Sequence, residues 1–116
     1  MTFSIILQVI LGLGFLMFGY QKFISEDMKK GFEYFGYGDN FRVFTGLFEI
    51  LTAIVIVVGI WVGPLATIGG IMIVVTMIGA ILTHVKIKDQ VKNMLMPFTL
   101  LVLGIIVVGM NWTALF

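Results

Sequence analysis

Four apolar runs, at roughly 3–23, 41–60, 65–85 and 94–114, fill most of this chain. Each is about the 20 residues that a helix needs to cross a hydrocarbon core of about 30 Å. In lipid an isolated span of any other kind would leave its backbone N–H and C=O groups unpaired, so all four are expected to be helices. A soluble domain carries about a quarter charged residues; here 11% of 116 residues are charged and 60% are hydrophobic, so lipid must serve as solvent. The first run has no basic segment before it and no small-residue cleavage site after it, and reads as a retained span. The length leaves room for one domain, residues 1–116.

The link Ile60-Trp61-Val62-Gly63-Pro64 is a tight turn, which makes spans 2 and 3 a hairpin. The loop between spans 1 and 2 is longer. Ser25 is placed to cap a helix whose first turn holds Glu26 and Asp27. Ile24, Met28, Phe32 and Phe35 then form an apolar stripe, and Gly36-Tyr37-Gly38-Asp39-Asn40 is turn chemistry. The stripe fits an anchor lying in the membrane interface, or a lid over the bundle's mouth. The fold expected is an all-α membrane protein, an antiparallel four-transmembrane-helix bundle with a short amphipathic interfacial helix between spans 1 and 2.

Every Lys and Arg lies in or beside two loops: Lys22, Lys29, Lys30 and Arg42 at the first, Lys86, Lys88 and Lys92 at the third. Basic loops stay in the cytoplasm, which puts both termini outside. Trp61 and Trp112 then mark the outer interface, and Tyr20, Tyr34 and Tyr37 the inner one. The expected location is the cell membrane of a bacterium or archaeon.

Glu49 stands inside span 2. A charge in hydrocarbon is costly without a partner or a proton, so an intramembrane acid is a functional candidate. Arg42, seven residues earlier, shares its helix face. In span 1, Gln8, Gly12, Phe15, Gly19 and Lys22 form one stripe, with glycines that let a neighbouring helix approach. Lys22 can snorkel to the headgroups or turn in towards Glu49. Span 3 carries Gly69, Gly70, Ile73, Met77, Ala80 and His84 on one side; His84 is either an interface residue or a proton carrier. Span 4 aligns Asn93, Pro97, Gly104, Val108 and Asn111.

Together these faces gather Gln21, Lys22, Arg42, Glu49, His84 and Asn93 in the cytoplasmic half. Such a cluster can bind a small polar head with an apolar tail, with Glu49 or His84 donating a proton to a carbonyl under reduction and Gln21, Lys22, Arg42 and Asn93 holding the ligand. A quinone fits that description. The same residues can equally form a structural lock, with Lys22 or Arg42 on Glu49 fixing helix register. The chain has no cysteine, which excludes disulfides, thiolate catalysis and iron–sulfur ligation within it. No metal-ligand spacing and no flavin or nicotinamide motif is present, and a net charge of +1 gives no sign of nucleic-acid binding.

Gly19-Tyr20-Gln21-Lys22-Phe23, Gly46-Leu47-Phe48-Glu49-Ile50-Leu51, Gly63-Pro64-Leu65-Ala66 and Ala80-Ile81-Leu82-Thr83-His84 occur in this order across nearly the whole chain. In these pieces the chain resembles the DoxX family of small four-helix membrane proteins. The resemblance implies a bundle with Lys22, Glu49 and His84 turned inward. It also implies a link to quinone, thiol or oxidative-stress handling beside a soluble or membrane redox partner, and through related eukaryotic proteins it allows an assembly-factor role. Some related membrane oxidoreductases use cysteine pairs, which this chain lacks. The expectation is therefore a redox-associated membrane protein that binds quinone or a similar lipid-soluble molecule. The alternatives are a non-catalytic assembly factor and, third, a small proton-coupled exporter. Glycine-rich faces on spans 1 and 3 suit packing within the bundle or a homo-oligomer.

Overall fold

The structure is a computed structural model that describes residues 2–115. Its elements are α1 (Thr2–Ile24), α2 (Glu26–Tyr34), α3 (Asp39–Val58), α4 (Gly63–Lys86), a 3-10 turn (Val91–Met94), α5 (Leu95–Met110) and a last turn, α6 (Trp112–Leu115). Among the described residues there is no strand, and four helical stretches are long and apolar enough to cross a membrane. The longest dimension is 40 Å, enough for a hydrocarbon core and its interfaces.

The stripes read from the sequence are the buried faces. On α1 these are Ser4, Leu7, Gln8, Leu11, Gly12, Phe15, Gly19 and Lys22; on α3 they are Gly46, Glu49, Thr52, Ala53 and Ile56. The two helices meet closely because glycines line the seam. A Cβ added at Gly19 would stand 2.7 Å from the carbonyl oxygen of Gly46, too close for any side chain. Leu7, Leu11, Phe15, Ala53, Ile56, Ile73, Met77 and Val107 form the core. Large apolar side chains such as Leu13, Leu47, Val75 and Ile105 face outward, as lipid contact requires.

α2 forms where expected. The Ser25 hydroxyl accepts the Met28 N–H at 3.2 Å, and Glu26 and Asp27 occupy the first turn, where carboxylates suit the helix dipole. Span 4 departs from expectation. Its long helix ends at Met110, not 114, and Asn111 is the stop: its N–H bonds the carbonyls of Val107 and Val108. Val107 is sealed into the core, and Val108 of the aligned face packs against Gly70 of α4.

The end of the bundle that carries the termini is tied by a buried polar chain. Ser4 donates to Gln8 at 2.9 Å, and Gln8 to the Ile56 carbonyl at 3.0 Å. The Asn111 amide donates to the Ser4 hydroxyl, and Thr67 donates to the Asn111 carbonyl. All four long helices are joined there, and each group has a partner, which is what makes a polar network in an apolar interior stabilising.

Candidate functional site

At the opposite end the helices part. The buried face of α4 stops at Met77 and that of α5 begins at Gly104. The space between them is a cavity of about 720 Å³. Its wall is apolar and rich in phenyl rings, with Phe18 from α1, Phe32 and Phe35 at α2, and Phe41, Phe44 and Phe48 on α3. The polar wall comprises Lys22, Thr45, Glu49, Thr76, Thr83 and His84, with Tyr37 at the mouth. The three threonines donate to the backbone of their own helices at positions four earlier, so Lys22, Glu49 and His84 carry the wall's ionisable chemistry.

Lys22 and Glu49 are an ion pair, Nζ to Oε1 at 2.5 Å, and are only 8% and 3% exposed. Oε1 makes no hydrogen bond of regular geometry; charge at contact distance holds it. Lys22 therefore turns inward. His84 pairs by Nδ1 with Asp89 Oδ2 at 2.7 Å and presents its ring edge to Phe35.

The other candidates stand elsewhere. The guanidinium of Arg42 donates to the backbone carbonyl of Lys22 and reaches Asp39 at 3.4 Å. It caps one carbonyl in the last turn of α1, a place that favours a cation, and its Nε is enclosed without a hydrogen-bond partner. Gln21 borders a shallow depression with Ser25 and Asp27. Asn93 is exposed and donates to Asp89 Oδ1 at 2.8 Å. None of these three lines the cavity.

Two residues enter that the sequence did not single out. Lys88 takes a left-handed conformation, φ 56°, while the Asp89 N–H bonds the His84 carbonyl and the Lys88 N–H that of Val85. This is a helix-ending motif that normally uses glycine, and it sets Asp89 against His84. The Asp89 carboxylate accepts from Asn93, from His84 and from the Gln90 N–H; these bonds, that of Asn93 foremost, hold it below the usual carboxylate range. Tyr37 is the second. Thr83 spends its proton on the Gly79 carbonyl, so the Tyr37 hydroxyl is the donor in their 3.0 Å bond. The Lys86 ammonium lies 5.1 Å from the Tyr37 ring centroid, within cation–π range. The turn before it is set by Gly36, φ 87°, which glycine adopts without strain.

The stripe on α2 thus faces the cavity: Met28, Phe32 and Phe35 line it, and Phe32 is buried among Phe35, Tyr37 and Phe41. Of the expected stripe, only Ile24 points out. The geometry is that of a lid.

Residues 6–107 match the family model described as the DoxX-like family. No curated protein and no solved structure matches the chain.

Proposed function

The chain belongs to the DoxX-like family, and from that premise and the cavity we infer that this integral membrane protein holds a lipid-soluble aromatic molecule, a quinone or a close analogue, as part of an oxidoreductase or oxidative-stress complex. The observation that carries this reading is an aromatic cavity of about 720 Å³ with an ion pair and a histidine in its wall. Ligand sites are commonly apolar clefts of a few hundred Å³ with a small number of placed polar groups. Phenyl walls stack on a flat ring, and the ionisable groups suit a carbonyl.

A quinone there would serve as a two-electron, two-proton acceptor, its electrons coming from a redox partner protein, since the chain has no flavin or nicotinamide motif. Glu49 and His84 are the wall's proton-holding groups. Lys22 keeps the Glu49 carboxylate at the wall, and Asp89 fixes the His84 ring through Nδ1, leaving Nε2 as its other proton-exchanging atom. The charged end faces the cytoplasm, with both termini outside.

The closed Lys22–Glu49 pair favours a second reading, in which these residues fix the register of α1 on α3 and the chain is an assembly factor for other membrane proteins. Gentle purification, lipid extraction and mass spectrometry separate the two. A quinone near stoichiometry supports the first. A stoichiometric membrane client with ordinary phospholipid alone supports the second and removes the first.

A further inference from the structure

The cavity has two possible ways out, towards the aqueous loops and towards the bilayer. The loop side is covered by α2 and the turn after it: Phe32 of α2 is buried, and Tyr37 is bonded to Thr83 with the Lys86 ammonium over its ring.

The bilayer side is open between α3 and α4. At the end that carries the termini these helices are pressed together: a Cβ at Gly59 would stand 2.6 Å from Ala66 Cα, and one at Gly69 would stand 3.0 Å from Ile56 Cα. At the charged end Gly79, which lines the cavity, meets nothing within 4 Å. Five residues line the cavity and are also exposed on the outside of the bundle: Phe41 at 48%, Phe44 at 61%, Val75 at 60%, Gly79, and Met96 at 59%; of these, Phe44 on α3 and Val75 and Gly79 on α4 flank the α3–α4 gap. Gly79 and Val75 precede Lys86 by seven and eleven residues, about 10 and 16 Å along the helix. Both depths lie inside the hydrocarbon region if Lys86 marks its edge. The gap is apolar and faces acyl chains.

We propose that the cavity takes a tailed amphiphile, its ring among the phenyl side chains and its hydrocarbon tail leaving through the gap between α3 and α4 at Phe44, Val75 and Gly79. This rests on the ligand-binding reading above and adds the ligand's class and route. The ligand exchanges with the bilayer and not with water, and Gly79 sets the width of the exit. No other side chain there is as small.

The test is binding to the full chain in phosphatidylcholine nanodiscs of three probes: decyl-benzoquinone, the same quinone ring without the tail, and decyl-resorcinol. Wild type is compared with Gly79→Trp, which fills the gap from a position with room for a side chain, and with Gly14→Trp, another position with open space that does not line the cavity. Affinity for each probe is taken relative to wild type, so that partition into lipid cancels. Gly79→Trp is expected to weaken the tailed probes by about tenfold or more, to weaken the tail-less ring much less and to melt like wild type; Gly14→Trp changes the affinity of no probe. Equal loss for tailed and tail-less rings, or no loss for either, overturns the route. Binding of decyl-resorcinol with the expected pattern, and of neither quinone, keeps the route and removes the quinone reading. A wild-type chain that binds no tailed probe overturns both.

Discussion

The Lys22–Glu49 pair gives the sharpest energetic prediction. Its members are 8% and 3% exposed and stand 2.5 Å apart. Neither has a second ion partner within reach among the described residues: the guanidinium of Arg42 is turned to the Lys22 carbonyl and Asp39, and His84 is turned to Asp89. Glu49→Met therefore strands an ammonium in a dry place, and Lys22→Met strands a carboxylate. Breaking a buried pair this way costs about 3–5 kcal/mol, whereas replacing both members by apolar groups of similar volume is often neutral or stabilising. Lys22→Met/Glu49→Met should thus be more stable than either single variant and within about 1 kcal/mol of wild type. The Arg42 contact is made to the Lys22 backbone and survives all three. The assay is equilibrium unfolding in mixed micelles, read by helical circular dichroism. If the double variant costs the sum of the two singles, the pair is uncoupled and the reasoning is wrong. The double variant also separates two roles: folded but unable to bind decyl-benzoquinone, it shows that the pair serves the ligand as well as helix register.

Three further outcomes follow from other parts of the molecule. Gly59→Ala should destabilise by about 1–3 kcal/mol, as overpacking does, because the added Cβ meets the backbone of Ala66; a melt unchanged from wild type would show that α3 and α4 are not held that closely. Asp89, held low by Asn93, His84 and the Gln90 N–H, contributes order that is full above the range where an unfolded-chain aspartate titrates and is lost as pH falls through its own lower value. Protection of the Gln90 amide from exchange should drop only in that acid range, and Asp89→Asn should remove the break. The chain has no cysteine, so Lys88→Cys gives a clean topology probe: an impermeant maleimide should label it in inverted vesicles and spare it in intact cells.

The sequence made the spans legible because glycines and polar residues recur at helical spacing. The buried face of α1 follows the stripe Gln8, Gly12, Phe15, Gly19 and Lys22. The Ser25 cap and the charge pattern of α2 were equally readable, since capping is local chemistry. The cavity was not. The stripes of α3 and α4 run on past Glu49 and Met77 towards Arg42 and His84 with the same periodicity, and nothing in a period tells packed from parted helices. Asp89 was hidden because Lys88 adopts a conformation that usually announces itself by glycine or asparagine. Tyr37 looked like a turn residue because its partner, Thr83, lies 46 residues away. The six-residue polar cluster was read as one site from a shared depth in the membrane. Depth alone could not show that Arg42 caps α1, that Asn93 serves Asp89, or that Gln21 lies off the cavity.

The account stands on the cavity at the charged end holding an aromatic-headed amphiphile. Photolabelling tests this most directly: a decyl-benzoquinone bearing a diazirine on its ring, irradiated with the protein in nanodiscs and mapped by peptide mass spectrometry. The account predicts that label concentrates on 32–49 and 75–84, is competed by unlabelled decyl-benzoquinone, and spares the lipid-facing Leu13 and Ile105. Label spread over the outward faces in proportion to their exposure, with no competition, would contradict it.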